Sequence, residues 1–161
     1  MFIFVFGIAR IAAIKNLPVL GDSLPENAMI DTRTAPYAAL LLRIALGVMF
    51  LAHGLTKLLV FTLPGTAQFF AKIGFAGWLA YPVTFFEIGA GALLILGVWP
   101  RWIAVIAAVQ LFVASSVHFG NGWGFGNPGG GWEYPVFLAV AAAVLALLSD
   151  GKFALLKSGR G

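Results

Sequence analysis

The sequence predicts an all-α, integral membrane four-helix bundle, on three observations. Hydrophobic residues make up 61% of the 161 positions and charged residues 10%, against about 25% charged in a soluble domain; the mean hydropathy is +0.97. The apolar residues gather into four blocks, 36–59, 78–98, 102–118 and 133–148, each at or near the roughly 20 residues that cross about 30 Å of hydrocarbon as helix. Proline, glycine and tryptophan stand at the block boundaries, where turns and the aromatic belt of a bilayer are expected. This length accommodates one bundle and no added soluble catalytic domain, so any chemistry is expected in or at the bilayer.

Residues 1–35 form a separate N-terminal segment. Residues 1–14 are apolar but span only half a bilayer, carry Arg10, and lack the basic start of a signal peptide. An interfacial helix, a cryptic signal and translated upstream DNA are the three readings. Residues 25–29 can be encoded by CCGGAGAACGCCATG, which places a ribosome-binding element just before ATG, and the native start is expected at Met29.

The first block holds Arg43, His53 and Lys57, although a charge at a helix centre costs roughly 2.5 to 3.5 kcal/mol on insertion scales. At about 100° per residue these three and Phe50 fall within an arc of roughly 80°, shared by Gly47 and Gly54. Leu41, Ala45, Val48, Ala52 and Leu55 occupy the opposite, lipid-facing side. A loop over 61–77 leads to the second block, where Glu87 shares a face with Thr84 and Gly91. Antiparallel helices bring Glu87 between the depths of Arg43 and His53, which predicts an Arg43–Glu87 intramembrane pair. It serves either to fix helix register or as a proton or substrate relay.

Trp99-Pro100-Arg101-Trp102 makes a tight turn into the third block. There Gln110, Ala114, His118 and Asn121 fall on one helical stripe. The following stretch, "HFGNGWGFGNPGGGWEYP", contains Gly124, Gly126 and Gly129 in the spacing G-x-G-x-x-G. That pattern signals dinucleotide binding only after a strand within a βαβ unit, and here it joins two membrane helices. It is expected to be a lid over the outer end of the bundle or a flexible turn. Trp123, Trp132 and Tyr134 suit an aromatic belt, and Glu133 approaches Lys57 in depth, close enough to pair with it. Ser149-Asp150-Gly151 ends the last block, and 157–161 form a tail.

Arg33, Arg101, Lys152, Lys157 and Arg160 fall on one side and Lys72 on the other, so the positive-inside rule places both termini in the cytoplasm of a bacterial inner membrane. The basic residues are scattered, with no stripe for nucleic acid, despite an isoelectric point near 9.8. The chain has no cysteine, which removes disulfide, thiolate and iron–sulfur chemistry and makes a borrowed cofactor necessary for redox work.

At the outer end, His53, Lys57, His118, Asn121, Trp123, Trp132 and Glu133 assemble a candidate ligand site. Donors at that depth, walled by aromatic rings, suit the carbonyl oxygens of a quinone. The competing expectation is self-satisfaction, with Lys57 on Glu133 and the histidines on backbone. Bis-histidine haem ligation is a weaker reading of the two histidines, and no metal site is expected.

The ordered motifs "LLLRIALGVMFLAHGLTKL", "FFEIGAGALLILGVWPRW" and "NG...GGWEYP" resemble the DoxX family of small bacterial membrane proteins, over residues 36–156. The resemblance implies a four-helix inner-membrane protein, related by name to the DoxD and DoxA subunits of a thiosulfate:quinone oxidoreductase. It carries over Arg43, His53, Gly54, Lys57, Glu87, Arg101, Asn121, Gly122 and Glu133 as motif positions, without assigning any a catalytic role. The leading expectation is a membrane accessory subunit of a redox complex, contacting lipid and quinone, with another redox-complex subunit or a soluble oxidoreductase as partner. The alternatives are a small-molecule or proton transporter and a membrane-protein assembly chaperone.

Overall fold

Why the chain turns where it does is read from a computed structural model, which describes residues 31–159. The expected start at Met29 and the rest of the preceding segment lie outside the described residues. Helix α1 spans Ala35–Leu55 and begins with proline in its first turn, where a missing N–H costs nothing. It runs without a break into a π-helical turn, Thr56–Val60. The Phe61 N–H reaches back five residues to the Thr56 carbonyl at 3.0 Å, and the Thr56 hydroxyl bonds the Ala52 carbonyl at 2.8 Å. Such turns are uncommon and frequent at functional sites.

The linker expected as a loop contains a second helix, α2, Leu63–Lys72. Thr62 caps it by accepting the Gly65 N–H at 3.3 Å, and a proline sits in its first turn. Ten residues are too few for a span, which is why hydropathy alone passes over it. A single 3-10 turn, Gly77–Leu79, leads into α3, Ala80–Leu96. Gly97, at φ +71°, ends α3 in the left-handed conformation, and the Val98 N–H bonds the Leu93 carbonyl at 2.9 Å. α4 spans Pro100–Ser115, starting at its proline, and tightens into a 3-10 segment, Ser116–Asn121. α5 is Glu133–Leu148, the bounds the sequence predicts.

The protein is an all-α membrane protein. Among the described residues, three helical stretches are long and apolar enough to cross a bilayer: Ala35–Val60, Gly77–Leu96 and Pro100–Asn121. The 16 residues of α5 cover about 24 Å at 1.5 Å per residue, a shorter apolar helix packed beside α4.

Two helix pairs carry most of the packing, α1 on α3 and α4 on α5. Glycine sets the first. A Cβ on Gly91 would stand 2.6 Å from Leu51 N and 2.8 Å from Gly47 O, and one on Gly54 would stand 2.9 Å from Ile88 N. Backbones approach this closely only where side chains are absent. Alanine fills the space between the pairs, with Ala39, Ala90, Ala104, Ala107, Ala142 and Leu145 in one buried cluster. Leu41 and Val48, on the face expected to meet lipid, are 73% and 55% exposed.

At the end where α1 begins and α5 stops, the residues after α5 fold back across the helix ends. The Lys152 N–H bonds the Pro36 carbonyl at 2.9 Å, and Leu156 exchanges backbone hydrogen bonds with Gly97 and Trp99. Asp150 accepts the Ser158 N–H on both carboxylate oxygens, at 3.0 and 3.1 Å. The C-terminal residues through Ser158 thus close this end of the bundle rather than forming only a trailing tail.

Candidate functional site

Arg43 and Glu87 do not pair. Arg43 is 1% exposed, and its guanidinium donates to the carbonyls of Asp150, at 3.0 Å, and Lys152, at 3.3 Å. Gly97 lies against the guanidinium, where any side chain would overlap it. Glu87 lies instead beside Gly54, whose added Cβ would meet the Glu87 Cβ at 3.1 Å. Gly54 is eleven residues beyond Arg43, about 16 Å along the helix axis. The glycine-mediated register of α1 on α3 therefore sets Glu87 beyond the reach of Arg43.

The partner of Glu87 is Lys57, in the π-helical turn. Lys57 Nζ lies 2.7 Å from Glu87 Oε1 and 2.5 Å from Oε2, and the side chains are 20% and 9% exposed. Gln110, from α4, donates its Nε2 to Glu87 Oε1 at 2.9 Å. This corrects both predicted pairings of the sequence: Arg43 with Glu87, and Lys57 with Glu133. Glu133 accepts the Phe125 N–H at 2.8 Å, within the glycine-rich loop.

The trio opens onto a cavity of about 1050 Å³, between the two helix pairs at the end opposite Arg43. Its walls are apolar, with Phe50 and Met49 from α1, Leu111 and Ala114 from α4, and Leu138 from α5. α2 and the turn after it add Phe69, Phe70 and Phe75. Phe70 and Phe75 meet at a centroid distance of 6.2 Å. These aromatic residues were not among the expected site residues; the signal available was the Thr62 cap ahead of an apolar segment containing Phe69 and Phe70.

Of the seven residues expected at the ligand site, His53, Lys57 and His118 line the cavity. His53 Nδ1 bonds the Met49 carbonyl at 2.9 Å, and His118 Nδ1 bonds the Gly130 carbonyl at 3.1 Å. Asn121, Trp123, Trp132 and Glu133 build the glycine-rich loop instead. Asn121 Nδ2 donates to the carbonyls of Gly129 and Gly130, at 3.0 and 2.9 Å. Trp123 and Trp132 meet edge to face at 4.6 Å, and Trp132 also meets Phe119 at 6.4 Å. Gly131 has no space for a side chain, since a Cβ there would overlap the Trp123 and Gly124 carbonyls. The loop is therefore a tied structure, contributing Phe125 and Gly131 to the cavity wall.

Chemically, the site combines a lipid-compatible interior with one internally neutralised charge pair and two imidazoles. It can hold an apolar ring and offer polar partners to substituents on that ring. Among the described residues, no three His, Asp or Glu side chains gather as a metal cluster.

Residues 38–120 match the DoxX family, a segment that carries Arg43, His53, Lys57, Glu87, Gln110 and His118. A curated relative from Bacillus subtilis (strain 168), named "Putative oxidoreductase CatD", is 37% identical over 75 residues. That alignment covers 47% of this chain and 54% of the relative, so the chain spans about half the length of the curated protein it matches. No solved structure gives a significant match. With the family match extending over more than half of the sequence, the chain belongs to the DoxX family.

Proposed function

We propose that the chain is a membrane accessory subunit of a redox system, and that its cavity holds the ring of a quinone-type lipid. The cavity carries this reading. Its volume of about 1050 Å³ lies at the upper end of small-molecule sites, which run roughly 300 to 1,000 Å³. Its walls are apolar, and polar groups are confined to His53, Lys57, Glu87, Gln110, His118 and Tyr134. A ring with two oxygen substituents and an apolar tail fits that distribution. The name of the Bacillus subtilis relative points to the same class of chemistry.

When bound, a quinone supplies two-electron, two-proton redox capacity. The residues of this chain hold and orient it: aromatic walls exclude water, and the polar groups engage the ring oxygens. Electrons come from a partner, a soluble oxidoreductase or another subunit. Arg33, Arg101, Lys152 and Lys157 gather at the Arg43 end and Lys72 at the other, which supports a bacterial inner-membrane orientation with the Arg43 end cytoplasmic.

The test is titration of a decyl-tailed benzoquinone into the detergent-purified full chain, followed by calorimetry. Saturable binding is expected, and Ala114→Trp, at an exposed α4 position lining the cavity, is expected to abolish it by filling the space. Unsaturable partitioning that is indifferent to Ala114→Trp refutes the reading. Affinity purification under mild detergent is expected to recover a soluble oxidoreductase with the chain. For orientation, a reporter fused at Gly126 is expected on the periplasmic side and one at Lys157 in the cytoplasm; a cytoplasmic Gly126 fusion reverses the assignment.

A further inference from the structure

The polar atoms of the cavity divide into those already engaged and those still free. A carbonyl oxygen accepts and never donates, so a ring nitrogen that bonds one must carry the proton. His53 Nδ1 bonds the Met49 carbonyl, and His118 Nδ1 bonds the carbonyls of Gly129 and Gly130, at 3.2 and 3.1 Å. In its neutral form each imidazole is thereby held as the Nδ1–H tautomer, with Nε2 a lone-pair acceptor. The same reasoning fixes Gln110. Its Nε2 meets a carboxylate oxygen of Glu87, which leaves the amide oxygen as its unengaged atom.

The donors are largely engaged. Lys57 is directed at both oxygens of Glu87, and the Tyr134 hydroxyl at the sulfur of Met49, 3.6 Å away. An ammonium carries three N–H groups and an amide nitrogen two, so Lys57 and Gln110 each keep a spare donor, while among the described residues three acceptors of the cavity, His53 Nε2, His118 Nε2 and Gln110 Oε1, have no partner in the protein.

Resting on the quinone reading above, we infer that the cavity discriminates by oxidation state and binds the dihydroxy, hydroquinone form more tightly than the dicarbonyl form. A hydroquinone brings two O–H donors to these acceptors. A quinone brings only lone pairs, so it accepts from the spare N–H groups of Lys57 and Gln110 but leaves the three acceptors unpaired. One net hydrogen bond made in one form and missing in the other corresponds to about fivefold to tenfold in Kd. Because the reduced form is held more tightly, the bound couple is easier to reduce, and each tenfold of preference raises its two-electron midpoint potential by about 30 mV.

The experiment compares a decyl-tailed benzoquinone with its hydroquinone, titrated anaerobically into the purified full chain. The hydroquinone is expected to bind at least about fivefold more tightly. The double variant His53→Asn, His118→Asn keeps an N–H near each Nδ1 position and removes both Nε2 atoms. It is expected to bring the two Kd values within about twofold of each other. Equal affinities in the wild type, or tighter binding of the quinone, overturn the inference and leave the quinone reading standing. A full preference surviving in the folded double variant overturns it as well. Failure of both ligands to bind overturns the quinone reading itself. Should the double variant not fold, the wild-type ratio and the single variant His53→Asn decide, with a reduced ratio expected in the latter and an unchanged one counting against the inference.

Discussion

Removing Lys57 should destabilise the bundle more than neutralising Glu87. Glu87 is 7% exposed and holds three polar contacts, two from Lys57 Nζ at 2.7 and 2.5 Å and one from Gln110 at 2.9 Å. Lys57→Met leaves the carboxylate with the Gln110 amide alone, at a cost of about 3 to 5 kcal/mol, as for other buried pairs deprived of one partner. Glu87→Gln keeps a polar partner for an ammonium whose side chain retains 20% exposure toward the cavity, and should cost about 1 to 3 kcal/mol. Lys57→Met combined with Glu87→Leu removes both charges together and should recover most of the loss, since well-packed apolar replacements are often neutral or better. Unfolding followed by circular dichroism against SDS mole fraction, with Glu87→Leu alone added, gives the four corners of the cycle. A coupling above about 1 kcal/mol is expected for Lys57 with Glu87, and additivity within about 0.5 kcal/mol for Arg43 with Glu87. Additive Lys57 and Glu87 effects, or stronger coupling of Glu87 to Arg43, would refute the assignment of partners.

Gly91→Ala should destabilise by about 1 to 3 kcal/mol, because the new Cβ meets Leu51 N and Gly47 O, while Gly89→Ala, with nothing within 4 Å, should be neutral or stabilising by up to about 1 kcal/mol; the same unfolding assay separates them. Arg43→Leu should release the C-terminal segment from its two carbonyl contacts, seen as faster trypsin cleavage after Lys152 and Lys157 by mass spectrometry, with the helices intact. Asn121→Ala should loosen the glycine-rich loop by removing its bonds to Gly129 and Gly130, measured as faster amide exchange over residues 122–132. Unchanged cleavage or exchange would show that these contacts do not hold their segments.

The helices were legible because hydrophobicity and boundary residues agree. Pro100 opens α4, Gly97 closes α3, and α5 has the expected bounds. The close-packing face of α1 was legible as well, since Gly47 and Gly54 lie seven residues apart and both pack on α3. The charge partners were not. Helix-wheel angles give direction around an axis but not the depth at which two helices meet, and that depth is set by glycine contacts between chains of backbone. Arg43 is satisfied by main-chain carbonyls, which no residue type announces. The π-helical turn shifts the phase of the residues after Leu55, so arithmetic at 100° per residue does not carry through to Lys57. α2 was missed because its ten residues draw their order from a threonine cap and from aromatic packing at the cavity, signals weaker than a span.

The grip of Arg43 on residues beyond α5 bears on biogenesis. Arg43 precedes its Asp150 acceptor by 107 residues, and a ribosome adding about 5 to 20 residues per second needs roughly 5 to 20 s to supply it. During that interval the first span carries a guanidinium whose final carbonyl partners do not yet exist. The Lys57–Glu87 pair, only 30 residues apart, can form within about 2 to 6 s at the same rate. The Lys57–Glu87 end of α1 and α3 can therefore pair early in synthesis, and the opposite end locks only once Asp150 and Lys152 have been made. A nascent chain stalled before Asp150 should hold its first two spans together yet leave Arg43 dependent on lipid headgroups, water or the insertion machinery for its hydrogen bonds.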